Sequence, residues 1–169
     1  MKIVAIVQAR MGSTRLPGKV LKKIAGIPAI EILLDRLSRS ELIHEICLAT
    51  SHNVENDLLC NAIEKIGYSV IRGSETDVLA RFWDAAEATS ADIVVRITGD
   101  CPVVDPNLVD KVIDMYLNGY VDYVSNIDPP SFPDGLDVEV FSIQSLEAAN
   151  LGAQSDFDRE HVTPFIRNG

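Results

Sequence analysis

Residues 3–19 read Ile3-Val4-Ala5-Ile6-Val7-Gln8-Ala9-Arg10-Met11-Gly12-Ser13-Thr14-Arg15-Leu16-Pro17-Gly18-Lys19, an unbroken apolar run followed at once by a loop carrying three cations and two glycines. A continuous run of this kind is what a parallel strand looks like when helices cover both its faces. The fold class follows: α/β, with this strand inside a mostly parallel central sheet and its loop at the carboxyl edge, where open sheets bind ligands. Gly12 and Gly18 permit positive φ or close backbone approach, while Arg10, Arg15 and Lys19 can donate charge-assisted hydrogen bonds to phosphate oxygens. The spacing is neither that of a P-loop nor G-x-G-x-x-G.

Charge is distributed unevenly. Residues 1–30 hold six Lys and Arg and no Asp or Glu, so they carry +6, while the other 139 residues carry −16 of the net −10. A cationic pocket in an acidic protein suits a small polyanion, and the acidic remainder disfavours nucleic acid and anionic membrane surfaces as partners. A basic loop merely solvated by water is the simpler reading of charge alone; the glycines and the preceding strand favour phosphate.

At 169 residues and 47% hydrophobic content the chain suits one well-buried domain. Its first strand is too short for a signal segment and no run reaches membrane-spanning length, so a cytoplasmic location is expected. Cys47, Cys60 and Cys101 lack C-x-x-C spacing and read as reduced thiols, the first two in the core. No histidine lies near Cys101 to activate it, so no nucleophilic role is assigned.

Strand and helix patterns alternate along the chain. Strands are expected at residues 46–50, 68–71, 93–98, 123–125 and 138–141, the last with alternating polarity. Helices are expected from Pro28 to about Arg39, from about Asn53 to Gly67, over residues 78–86, from a cap at Asp105-Pro106 through Met115, from a cap at Ser142 to Asn150, and as one final segment from Arg159 to Arg167. Residues 128–135, Asp-Pro-Pro-Ser-Phe-Pro-Asp-Gly, read as a loop.

The second chemical feature is Thr98-Gly99-Asp100-Cys101-Pro102, at the carboxyl end of the strand at 93–98. A carboxylate beside bound phosphates is a usual way to hold Mg²⁺, which takes one or two protein oxygens together with phosphate and water. Asp100 capping the next turn is the structural alternative.

Together, Gln8-Ala9-Arg10, Gly12 to Lys19 and Gly99-Asp100-Cys101-Pro102 resemble the cytidylyltransferases that make CMP-activated sugar acids, the acylneuraminate and CMP-KDO synthetase-like group. The match is nearest to the branch called spore coat polysaccharide biosynthesis protein F. Pro133-Asp134-Gly135-Leu136-Asp137-Val138-Glu139-Val140-Phe141 and Arg159-Glu160-His161-Val162-Thr163-Pro164-Phe165 agree with that branch.

The resemblance implies a three-layer, GT-A-like nucleotidyltransferase fold that binds CTP and Mg²⁺ and couples a sugar hydroxyl to the α-phosphate, expelling pyrophosphate, in surface or spore-coat polysaccharide synthesis. It implies that Arg10, Arg15 and Lys19 bind phosphate, with Gly12 and Ser13 in support, that backbone near Ala9 reads the pyrimidine, and that Ser74 contacts base or ribose. Lys19, Arg10 and Asp100 are the expected catalytic residues, with Asp100 as the metal ligand. Asp137 and Glu139, two apart on an expected strand and so sharing a face, would line the acceptor side with Arg159 and His161. The sugar-acid acceptor and a homodimer are likewise implied. Family members continue past the Arg-Glu-His segment, and a later Asp-containing stretch supplies a second carboxylate at the metal; the chain is expected to lack that segment. Another nucleotide or acceptor on the same fold, or a non-catalytic nucleotide-binding protein, stay open as readings at this point.

Overall fold

Strand β1, Ile3–Gln8, is buried along almost its whole length and lies at the middle of a six-stranded sheet. The structure, a computed structural model, describes residues 1–13 and 15–168, so Thr14 of the basic loop and Gly169 lie outside the described residues. The other strands of this sheet are β4 (Glu45–Ser51), β5 (Ser69–Gly73), β6 (Ile93–Thr98), β7 (Tyr123–Ser125) and β8 (Glu139–Ser142), in the order β5-β4-β1-β6-β8-β7. The first four are mutually parallel; β8 runs antiparallel to both β6 and β7. A two-residue hairpin, β2 (Lys23–Ile24) and β3 (Ile27–Pro28), stands apart from the sheet and had no signal in the sequence reading.

Side-chain alternation along β1 divides the core into two layers. Ile3, Ala5 and Val7 face one layer, where α1 (Ala29–Leu37), α2 (Asp57–Lys65) and α4 (Pro106–Asn118) bury Leu33, Leu34, Ile63 and Val109. Val4 and Ile6 face the other, packed by α3 (Val78–Ala88) and α5 (Ile143–Gly152) through Leu79, Phe82 and Leu146. Full burial of a ring such as Phe82 stabilises the fold by about 1.5–3 kcal/mol relative to exposure. Side-chain caps begin three of these helices: Asp77 for α3, Asp105 for α4 and Ser142 for α5.

Three expectations are corrected. The final segment is two short helices, α6 (Asp156–His161) and α7 (Pro164–Asn168), because Val162 between them takes φ 70° and Pro164 cannot continue a preceding helix. Pro28 precedes α1 in extended conformation instead of occupying its first turn. Asp137 lies ahead of β8, so it does not share a strand face with Glu139; and β8 lies between β6 and β7, which leaves Glu139 buried at 3% exposure. All three cysteines are free and buried, and burial pushes the Cys47 thiol up to about 12 and raises that of Cys101.

Candidate active site

The carboxyl ends of β1 and β6 meet in register, Gln8 opposite Thr98, and Gly99 N–H donates to the Gln8 carbonyl at 2.8 Å. A Cβ on Gly99 would come within 2.6 Å of the Ala9 Cβ and 2.9 Å of the Gln8 carbonyl oxygen. Only glycine lets the two strand ends close into one floor. Above it opens a cleft of about 440 Å³, lined from the sequence-predicted set by Ala9, Arg10, Gly12, Ser13, Arg15, Lys19, Asp100 and His161.

The loop after β1 folds back on itself. Ser13 and Gly18 N–H both donate to the Met11 carbonyl, at 2.9 and 3.0 Å, and Met11 N–H donates to the Oδ1 of buried Asn56 at 2.8 Å. Asn56 is fixed in turn by donating to Ser51 Oγ at 2.7 Å. Gly18 makes the return possible by taking φ +65°, which L side chains disfavour; Gly12 has an ordinary φ, and its Cβ position is instead crowded by the Glu55 carboxylate. The N–H groups of Arg10 and Gly12 take no acceptor among the described residues, and both residues line the cleft. Unpaired backbone donors on residues that line a cationic concavity are suited to phosphate oxygens.

Five cationic side chains, Arg10, Arg15, Lys19, Arg81 and Arg96, line this cleft against two carboxylates, Asp100 and Glu160. Lys19 Nζ donates to Asp100 Oδ2 at 2.5 Å. Burial pushes the Asp100 carboxyl up, but the hydrogen bond and charge of Lys19 outweigh it and leave the group below its usual range. Arg10 pairs with Glu75, whose carboxyl is likewise raised by burial and drawn below its usual value by the Ser51 hydroxyl and Arg10. Arg81, 2% exposed, donates to the Ser74 carbonyl, and its Nε has no partner among the described residues. Burial lowers its pKa, with nearby Glu75 opposing the shift.

The remaining expected residues lie outside this lining. Ser74 Oγ accepts from Asp77 N–H at 3.0 Å and organises the turn into α3. Arg159 reaches Asp77 at 2.6 Å and the Asn150 carbonyl at 2.7 Å, and lines a neighbouring cleft that shares Arg10, Val78 and Glu160 with the first. Asp137 stands near Asp100: burial raises its carboxyl first, and Asp134, Glu139 and Asp100 push it further in the same direction. Glu139 accepts from Arg96, Tyr123 and Thr163. Sequence reasoning did not single out Arg81 or Arg96, although each has a signal, a lone cation on an apolar helix face and a lone cation within an apolar strand.

The cytidylyltransferase family model matches residues 4–169. The chain belongs to the cytidylyltransferase family. It is therefore a nucleotidyltransferase, built on a six-stranded, mostly parallel sheet covered by helices. It is 38% identical over 171 residues to the spore coat polysaccharide biosynthesis protein SpsF of Bacillus subtilis, a match covering 98% of this chain and 70% of that one. A cytidylyltransferase from Leptospira borgpetersenii superposes with a TM-score of 0.94 at 34% identity, over 100% of this chain and 72% of that one. CMP:2-keto-3-deoxy-manno-octonic acid synthetase, solved with CTP, superposes with a TM-score of 0.75 at 18% identity over 98% and 85% of the two chains, a likeness of fold. Among the described residues no helix is long and apolar enough to cross a membrane.

Proposed function

We propose that this protein is a Mg²⁺-dependent cytidylyltransferase that transfers CMP from CTP to a sugar acid and releases pyrophosphate, a step in making surface polysaccharide. The observation that supports this most is the excess of cations lining one cleft, three of them on or beside a loop that folds back on the Met11 carbonyl. Similarity to SpsF favours an acceptor of the polysaccharide-building class, and the CTP complex of the structural neighbour favours CTP.

The donor set fits a magnesium ion. No group of three or more His, Cys, Asp or Glu is gathered for a metal among the described residues, so the site is not a protein-only cage. Mg²⁺ does not need one, since it keeps water and takes one or two carboxylates plus phosphate oxygens. Asp100 would hold it, at the carboxyl end of β6 and facing the cleft that the basic loop lines. When bound, the ion offsets phosphate charge and orients the α-phosphate for in-line attack.

This chain's residues do the rest by position and charge. Arg10, Arg15 and Lys19 bind the triphosphate, and Lys19, released from Asp100, donates to the oxygens where charge grows as pyrophosphate leaves. The acceptor hydroxyl oxygen forms its bond to the α-phosphorus as the bond to the bridging oxygen breaks; pyrophosphate departs with the electron pair and the hydroxyl proton passes to solvent. Cys101, whose thiol is raised by burial and held by Thr98, forms no covalent intermediate. Calorimetric titration of CTP with and without Mg²⁺, followed by pyrophosphate release with a panel of sugar acids, tests the reading. Metal-dependent binding selective for CTP, and release with an acid, are expected; selective binding of another nucleotide would overturn it.

A further inference from the structure

Glu139 is buried among its own partners and does not line the cleft. Its residue exposure is 3%, one carboxylate oxygen accepts from Tyr123 Oη at 2.7 Å and Thr163 Oγ1 at 2.6 Å, and the other accepts from Arg96 Nη1. The antiparallel register that sets Arg96 directly opposite Glu139 makes this pair a consequence of the β6–β8 pairing.

Arg96 is the partner that opens to the cleft. Its Nε donates to Gln8 Oε1 at 3.2 Å, its Nη1 to Glu139, and its guanidinium carbon stands 5.8 Å from the Phe82 ring centroid. Among the described residues Nη2 has no acceptor, and Arg96 lines the cleft with its side chain 12% exposed. Three contacts thus fix the plane of the guanidinium and leave Nη2 without an acceptor among the described residues, in a side chain that lines the cleft. A fork held in this way recognises a planar acceptor with little further ordering.

We propose that Arg96 recognises the carboxylate of the acceptor sugar, and that Glu139, with Gln8, is the positioning residue that aims it. The inference rests on the sugar-acid reading above. Charge and place select this ligand group over the triphosphate. Buried Glu139 stays with Arg96, so that site supplies donors without net charge and suits a monoanion, whereas Arg10 and Lys19 have more exposed carboxylate partners that can give way to phosphate. The polyanion is better served by Arg10, Arg15 and Lys19 on the loop. Arg96 also sits on the β8 side of the sheet, joined through Glu139 to Thr163, whereas Arg10 and its partner Glu75 lie toward the β5–α3 turn.

The test uses the whole chain, CTP, Mg²⁺, 2-keto-3-deoxy sugar acids, and the carboxamide of whichever acid turns over. Arg96→Lys keeps the charge and loses the fork; the double variant Arg96→Met with Glu139→Gln removes both charges together, so no buried carboxylate is stranded. Both are expected to raise the acceptor KM by about 10- to 100-fold, the worth of a hydrogen bond to a charged group. The preference for acid over amide should collapse, with the CTP KM within about twofold of wild type and cooperative melting retained. Glu139→Gln alone should raise the acceptor KM in the same direction, a split that a purely structural role would not produce. An undiminished acid preference in the variants, or a CTP KM that rises as much as the acceptor KM, overturns the assignment while leaving the sugar-acid reading intact. A wild-type protein that binds CTP yet releases pyrophosphate with no acid overturns both.

Discussion

Lys19–Asp100 and Arg96–Glu139 are both cation–carboxylate pairs at the carboxyl end of the sheet, yet the side chains of the first are 31% and 45% exposed and those of the second 12% and 4%. In the exposed pair water can replace either partner at small cost, so the two can separate and each can be handed to a ligand. The buried pair cannot separate without stranding a charge, and Glu139 is further tied to Tyr123 and Thr163. The cleft therefore divides its charged groups into those able to exchange partners during turnover and those that hold a fixed orientation. The pairs themselves follow from chain order: the first joins two loops at strand ends, the second joins two strands in register.

The largest expected effect separates the pairs on stability. Glu139→Ala leaves Arg96 without its carboxylate and should cost about 3–5 kcal/mol in urea unfolding, as breaking a buried pair does. A Glu139→Ala protein as stable as wild type would erase the distinction. Lys19→Ala should do the reverse: turnover, followed as pyrophosphate release, falls by about 10²–10³-fold through loss of a preorganised donor, while stability moves by less than about 1 kcal/mol. Asp100→Ala is expected to fall similarly in turnover and to weaken the Mg²⁺ dependence of CTP binding. Full activity in that variant would remove Asp100 from the metal.

Arg15 tests the same division from the ligand's side. It is exposed, lines the cleft, and forms no ion pair among the described residues. Arg15→Ala should weaken CTP binding by about tenfold, or about 1.4 kcal/mol, with the acceptor KM unchanged. Calorimetry and steady-state kinetics on one preparation decide it; equal losses for both substrates would mean that Arg15 shapes the loop.

The parallel half of the sheet was legible because burial on both faces writes itself as unbroken apolar runs, as in residues 3–7, 46–50 and 93–98. The basic loop and Asp100 were legible for a related reason: they are the chain immediately beyond those runs, and topology puts strand ends together. What was hidden depended on pairing across distance. Glu139 read as an acceptor-side residue from its place on an expected strand, and only the β6–β8 register shows it buried against Arg96. The partners of Ser74 and Arg159 were hidden for the same reason: Ser74 Oγ accepts from Asp77 N–H, and Arg159 donates to the Asp77 carboxylate and to the Asn150 carbonyl in α5. The hairpin at residues 23–28 is too short to show a period.

The smallest effect concerns acid. Lys19 holds the Asp100 carboxyl below the usual aspartate value against the upward push of burial, so the folded protein binds that proton less readily than the unfolded chain. The sign is then fixed: the pair contributes stability above the unfolded pKa, near the usual 3.8, and that contribution disappears as pH falls through the lower folded value. Half-exposed partners keep the whole term under about 1 kcal/mol. Asp100→Asn should consequently narrow the difference between urea midpoints measured above and below about pH 4, with little change near neutrality beyond the loss of the pair itself. Equal destabilisation at both pH values would show that Asp100 is held by its backbone surroundings, and the contrast with Arg96–Glu139 would then rest on burial alone, without an exchangeable proton on either side.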